Sequence, residues 1–189
     1  EEQNQVNRLI EEAVANVANN ETDSMMLANV ISKSDVGAIG MLVDNIQMMG
    51  SENPESNFSL KILSSIADMS SENSMTFEPE EQNQVNRLIE EAVANAANNE
   101  TDSMMLANVI SKSNTGTIAM MVDNIQMKDY QNSLNKGIDD NSSYNLSLQV
   151  LSSVADTKYE NSISFSTEEQ TQVNRLIEDA INNSGNNTT

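Results

Sequence analysis

The chain contains no cysteine, no histidine and no tryptophan among its 189 residues. Without cysteine there is no disulfide, no thiolate nucleophile and no sulfur-ligated zinc or iron–sulfur site. Without histidine the usual general base near neutral pH is missing. Basic side chains are also scarce: nine Lys and Arg stand against 29 Asp and Glu, a formal charge of −20. No basic patch can gather to neutralise phosphates, which argues against nucleic acid as a partner. An anionic membrane surface is equally unwelcoming. No apolar run approaches the ~20 residues of a membrane span, so membrane insertion is not expected. Glycine-rich phosphate loops, nucleophile elbows and metal-spaced clusters are missing too, and the chain reads as a non-enzyme.

Aromatic residues make up only 3% and apolar residues 38%. A core must therefore rest on Leu, Ile, Val, Ala and Met. Of the twelve methionines, Met26, Met41 and Met120 sit within apolar periodic runs and read as gap-fillers between short helices. Neither an initiator Met nor a signal peptide opens the sequence, so Glu1 reads as the start of a processed chain or an excised fragment.

What the chain does contain is repetition. EEQNQVNRLIEEAVAN begins at Glu1, returns at Glu80, and comes back degraded at Glu168. From Glu1 to Met48 the first two copies differ only at Val17/Ala96, Asp35/Asn114, Val36/Thr115, Ala38/Thr117, Gly40/Ala119 and Leu42/Met121. The chain divides accordingly into unit 1 (1–79), unit 2 (80–167) and a partial third unit with a polar tail (168–189).

The opening segment of each copy carries one helix face. Val6, Leu9, Ile10, Ala13 and Val14 follow the i, i+3, i+4 spacing, as do Val85, Leu88 and Ile89 in the second copy and Val173, Leu176 and Ile177 in the third. Val6, Leu9, Ile10, Val85, Leu88, Ile89, Val173, Leu176 and Ile177 are the nine expected inter-repeat packing residues. Ser166 with Glu169 forms a capping-box pattern, and Pro79 suits a first helical turn. A second helix follows, capped by Thr22 or Asp23 and lined by Met26, Leu27, Val30 and Ile31. A third runs from about Ser34 to Gln47, where Ala119 in place of Gly40 marks an ordinary helical position. The segment Leu60 to Asp68 reads as helix, although Phe58, Leu60 and Ile62 also alternate like a strand. A short extended piece is expected around Ser74 to Phe77.

Four short helices in each unit of about 80 residues give two helical hairpins. A fainter half-repeat agrees: MMLANVISKS at Met25 resembles KILSSIADMS at Lys61. The expected fold is all-α, with tandem short-helix repeats stacked as an α-solenoid-like array. That is a likeness to an architecture class, since the tetratricopeptide and ankyrin consensus residues are missing.

Candidate sites are few. Asp139 and Asp140, in the longer loop of the second unit, could offer oxygen ligands to calcium, but the EF-hand spacing is absent. The Glu pairs at 1/2, 80/81 and 168/169 lie where they complement a helix dipole. Arg8, Arg87 and Arg175 are the only arginines. Each has an acidic residue four positions on, so an intrahelical pair is the default and an inter-repeat salt bridge the sharper alternative. The triplets at Asn20, Asn57, Asn99 and Asn145 match the N-glycosylation pattern, as chance produces often in a chain so rich in Asn, Ser and Thr.

These features point to a structural repeat module of a long extracellular or cell-surface protein or fibre. Its partners would be other copies of itself or other proteins, and head-to-tail assembly is one possibility. No cofactor is expected, calcium apart. A solenoid that binds a protein or peptide is the alternative reading, and a calcium-dependent adhesion repeat is a third.

Overall fold

In a computed structural model of the chain, the residues described are 2–16, 20–52, 57–73, 77–96, 99–135, 145–161 and 164–185. Every regular element among them is an α-helix. These are α1 (Glu2–Ala15), α2 (Glu21–Ile31), α3 (Val36–Glu52), α4 (Phe58–Asn73), α5 (Pro79–Ala94), α6 (Glu100–Lys112), α7 (Thr115–Asn135), α8 (Leu146–Asn161) and α9 (Thr167–Gly185). The all-α class follows directly.

Side-chain oxygens just ahead of the helices explain where most of them begin. Asn20 Oδ1 accepts from the Asp23 backbone N–H at 2.9 Å, and Asn99 Oδ1 does the same for Asp102 at 2.8 Å. Asn20, and not Thr22 or Asp23, is thus the cap of α2. Asp35 and Asn114 serve α3 and α7 in the same way, through the Ala38 and Thr117 N–H groups. Either residue type can accept there, so this difference between the copies costs the helix little. The third helix begins at Val36 and runs on to Glu52, past the expected end at Gln47.

The segment that read as either helix or strand is the helix α4. Phe58, Ser59, Leu60, Ile62, Leu63, Ser65, Ile66 and Ala67 are all buried. A helix covered on nearly every side has no polar stripe, so its apolar residues satisfy both periodicities at once. Residues 74–76, at the heart of the expected extended piece, lie outside the described residues.

Two compact units divide the chain, Glu1–Asn95 and Ala96–Thr189. In the first, α2 packs on α4, α3 packs on both α1 and α5, and α4 packs on α5. In the second, α6 packs on α8, and α9 closes over α7 and α8. The helix that opens a sequence copy is therefore the helix that closes a compact unit. Both cores are aliphatic; Phe58 is the only aromatic side chain buried among the described residues. The Leu42/Met121 difference falls inside this core, at fully buried positions, and it preserves volume. Met26, expected as a gap-filler, lies exposed on α2.

Candidate functional site

The most elaborate arrangement in each unit is the seat of its closing helix. On α5, Val85, Leu88, Ile89, Ala92 and Val93 are each 3% exposed or less. On α9, Val173, Leu176 and Ala180 are buried against the helices it closes. Each fully buried aliphatic side chain stabilises by about 1.5–3 kcal/mol. The stripe thus supplies most of the adhesion.

Polar hooks then set the register of the closing helix. The Arg87 guanidinium reaches from α5 to the Asp44 carboxylate on α3, and Arg175 reaches from α9 to Asp123 on α7. Gln47 works in both directions: its Oε1 accepts from Arg87 Nη2 at 2.8 Å while its Nε2 donates to the Arg87 carbonyl at 3.5 Å. Gln126 and Arg175 repeat this pattern at 3.2 Å in each direction. Gln84 and Gln172 hold the second guanidinium nitrogen. Arg87 and Arg175 thus bridge from one sequence copy to the preceding one, and not to the acidic residues four positions on. Both pairs are exposed, where an ion pair contributes ~0–1 kcal/mol. A methyl at Gly40 would meet Gln84 Oε1 at an ordinary 3.4 Å, and Ala119 fills that place in the second unit.

A buried asparagine fastens the same helix from below. Asn57 donates its side-chain amide to the Ala92 carbonyl at 2.8 Å, while its Oδ1 accepts from the Leu60 N–H. Asn145 does the same toward Ala180 and Leu148, and also bonds Ser184 Oγ. Asn57 sits at φ 26°, a left-handed conformation that Asn tolerates better than most residues. These two asparagines head the triplets Asn57-Phe-Ser59 and Asn145-Leu-Ser147, while Asn20 and Asn99 head the other two. All four triplets are helix caps.

The second unit adds a carboxylate. Buried Asp129, standing where the first copy has Gly50, accepts from the Leu146 and Ser147 N–H groups at 2.8 and 2.9 Å. Ser147 Oγ in turn donates to Asp179 Oδ2 at 2.5 Å. Burial, reinforced by the nearby Asp129 charge, pushes the Asp179 carboxyl above its ordinary range. In the first unit burial likewise raises Glu91, against the opposing pull of the neighbouring Ser59 hydroxyl and the Arg87 charge. Burial pushes Lys128 on α7 down from its ordinary value, against the pull of Asp102 and Asp129.

The nine residues expected in inter-repeat packing fall into two groups. Val85, Leu88, Ile89, Val173 and Leu176 are buried. Val6 and Leu9 are 48% and 66% exposed, Ile10 is half-buried, and Ile177 is exposed. The reason lies in the neighbours: α1 packs on α3, whereas α5 and α9 each lie on two preceding helices of their unit. Asp139 and Asp140 lie outside the described residues, and no group of three acidic side chains placed to hold a metal occurs among those described. Glu81 and Glu169 accept from the N–H groups of Glu78 and Ser166 at 3.0 and 2.8 Å, closing the first turns of α5 and α9. No helix among the described residues is long and apolar enough to cross a membrane.

Sequence reasoning missed Asn57, Asn145, Gln47, Gln126 and Asp129. Recurrence marked the first four, but a repeat this faithful marks nearly every residue. No family model, no curated protein and no solved structure matches this chain.

Proposed function

We propose that the chain is a non-enzymatic structural repeat module, stacked as an α-solenoid, that gives length and an interaction surface to a long extracellular or cell-surface protein or fibre. One observation carries this reading. The helix opening a sequence copy is clamped on the helices of the preceding copy by the same stripe, arginine and asparagine at α5 and at α9. Each added copy would reproduce that joint, which is the property an extendable array needs. The strong negative charge would keep such an array soluble and self-repelling.

The test is to insert one further copy of residues 80–167 and compare small-angle scattering profiles. The expected result is a maximum dimension that grows by the same increment with each copy. A chain that gains mass without gaining length would overturn the reading.

A second reading, a binding solenoid for a protein or peptide, is favoured by recurring exposed methionines. Met25 and Met104 occupy equivalent surface positions on α2 and α6, and Met48 and Met127 do so on α3 and α7. Flexible thioether surfaces suit adaptable recognition. Capture of a partner that Met48→Ser and Met127→Ser together abolish would favour this reading over a pure spacer.

A further inference from the structure

Three helices of the second unit meet at a pair of carboxylates. Asp129 on α7 is 2% exposed, and Asp179 on α9 is half-buried. The Asn183 side-chain amide donates to both, at 3.5 Å to Asp129 Oδ2 and 3.2 Å to Asp179 Oδ2. Ser147, at the start of α8, also serves both. Its backbone N–H donates to Asp129 Oδ2 at 2.9 Å, and its hydroxyl donates to Asp179 Oδ2 at 2.5 Å. One amide and one serine thus hold the two carboxylates side by side. The first copy has Gly50 in the place of Asp129, so the pair has no counterpart in the first unit.

The groups around the pair decide which member takes up a proton. Asp129 accepts from the Leu146 and Ser147 N–H groups and lies near the Lys128 ammonium, which Asp102 on α6 also attracts. Two N–H donors and an ammonium suit a carboxylate. On α9, the Arg175 guanidinium one turn before Asp179 is engaged by Asp123, Gln126 and Gln172, and Glu178 is exposed. Residues 146–152, the first two turns of α8, carry no charge. Asp179 is therefore the proton acceptor. Burial disfavours its charge, the Ser147 and Asn183 hydrogen bonds oppose that, and the Asp129 charge adds to it.

We propose that Asp129 and Asp179 form an acid-closed latch on α9: a proton carried by Asp179 lets it donate to the Asp129 carboxylate, and loss of that proton at higher pH leaves two like charges side by side that loosen the end of the helix. One proton is taken from water in acid and returned as pH rises, and no covalent bond to carbon changes. Asp179 holds this proton more tightly folded than unfolded. The latch therefore adds stability below the unfolded value and loses it as pH rises through the folded value. The segment it governs includes Ala180 and Ser184, which Asn145 anchors. Acid tightens that end of α9, and neutral conditions relax it. The latch lies wholly within the second unit and does not depend on the repeat-module reading.

The test is an NMR pH titration of side-chain carboxyl carbons in the full chain, paired with amide hydrogen exchange corrected for its intrinsic pH dependence. In wild type, Asp179 should titrate above the usual carboxylate range, and the Asp129 signal should shift in the same step. Asp129→Asn keeps an acceptor oxygen but removes the charge. It should move the Asp179 midpoint toward acid while leaving Glu91, in the first unit, where it was. Amides in the last turns of α9 should be severalfold more protected below the step than above it. Asp179→Asn should abolish that pH dependence and keep α9 protected at neutral pH, which decides the matter even where Asp129→Asn unfolds the unit. An Asp179 midpoint in the ordinary range would overturn the proposal. So would a midpoint that Asp129→Asn leaves unmoved, since burial alone would then set it, and so would α9 protection that stays level or falls on acidification.

Discussion

Asn145 and Ala180 are joined across 35 positions of sequence by one hydrogen bond: the Asn145 side-chain amide donates to the Ala180 carbonyl at 2.8 Å. Asn57 and Ala92 are joined in the same way, at the same separation and distance. Ala92 lies in the last turn of α5, where helix carbonyls run out of partners within the helix, so the Asn57 amide satisfies one of them while tying two helices together. The asparagine's Oδ1 meanwhile starts the next helix. Its removal strands polar groups in both.

Replacing Asn145 with Ala should therefore cost about 1–3 kcal/mol, the range for losing a buried hydrogen bond together with a helix cap. Urea unfolding of the full chain measures it. Asn20→Ser at an exposed cap should change stability by only a few tenths of a kcal/mol, because Ser caps nearly as well. Equal losses at the two sites would show that Asn145 acts merely as a cap.

Leu9 and Leu88 share identical flanking sequence, yet one is 66% exposed and the other fully buried. Leu88→Ala should lose ~2–5 kcal/mol, and Leu9→Ala less than ~0.5 kcal/mol. Thermal unfolding of the two variants side by side checks this. Similar losses would place α1 in the same kind of seat as α5.

Arg87→Ala removes an exposed ion pair, with an expected loss of ~0–1 kcal/mol that shrinks as salt is added. A loss comparable to that of Leu88→Ala, unchanged by salt, would mean that the guanidinium holds the joint and the apolar stripe merely fills it.

Glu91 and Asp179 both hold their protons more tightly when folded than when unfolded. A group raised in this way adds stability below its unfolded value, and that contribution fades as pH rises through the folded value. Burial disfavours the charged form of both, so each costs stability once the pH is high enough to ionise it. Asp179→Asn should then raise the unfolding temperature at neutral pH, with the difference from wild type closing in acid. A variant less stable than wild type at neutral pH would show that the hydrogen bonds from Ser147 and Asn183 need the charge.

The first helix of each copy was legible because it is strongly amphipathic, and only the 3.6-residue period fits its apolar positions. The second helix was legible in place but not in its cap, since Asn20 stands among so many polar residues that Thr22 and Asp23 looked equally able. Helix α4 defied a single reading because burial on almost all sides erases the contrast that periodicity needs. The candidate site was the least visible. Arg87 carried an acidic residue four positions on, and nothing local announces that Asp44, 43 positions earlier, is the acceptor. Likewise, identical sequence hid that α1 and α5 sit in different surroundings, a distinction set by neighbours and not by the helix itself.

The offset between sequence copy and compact unit bears on how such a gene can change. Recombination between two near-identical stretches adds or removes whole periods, and the crossover can fall anywhere along them. Because α5 and α9 are seated by the same stripe, arginine and asparagine, every product keeps a matched joint whichever codon the exchange used. The number of sequence copies can then change without any new seat for a closing helix having to be invented.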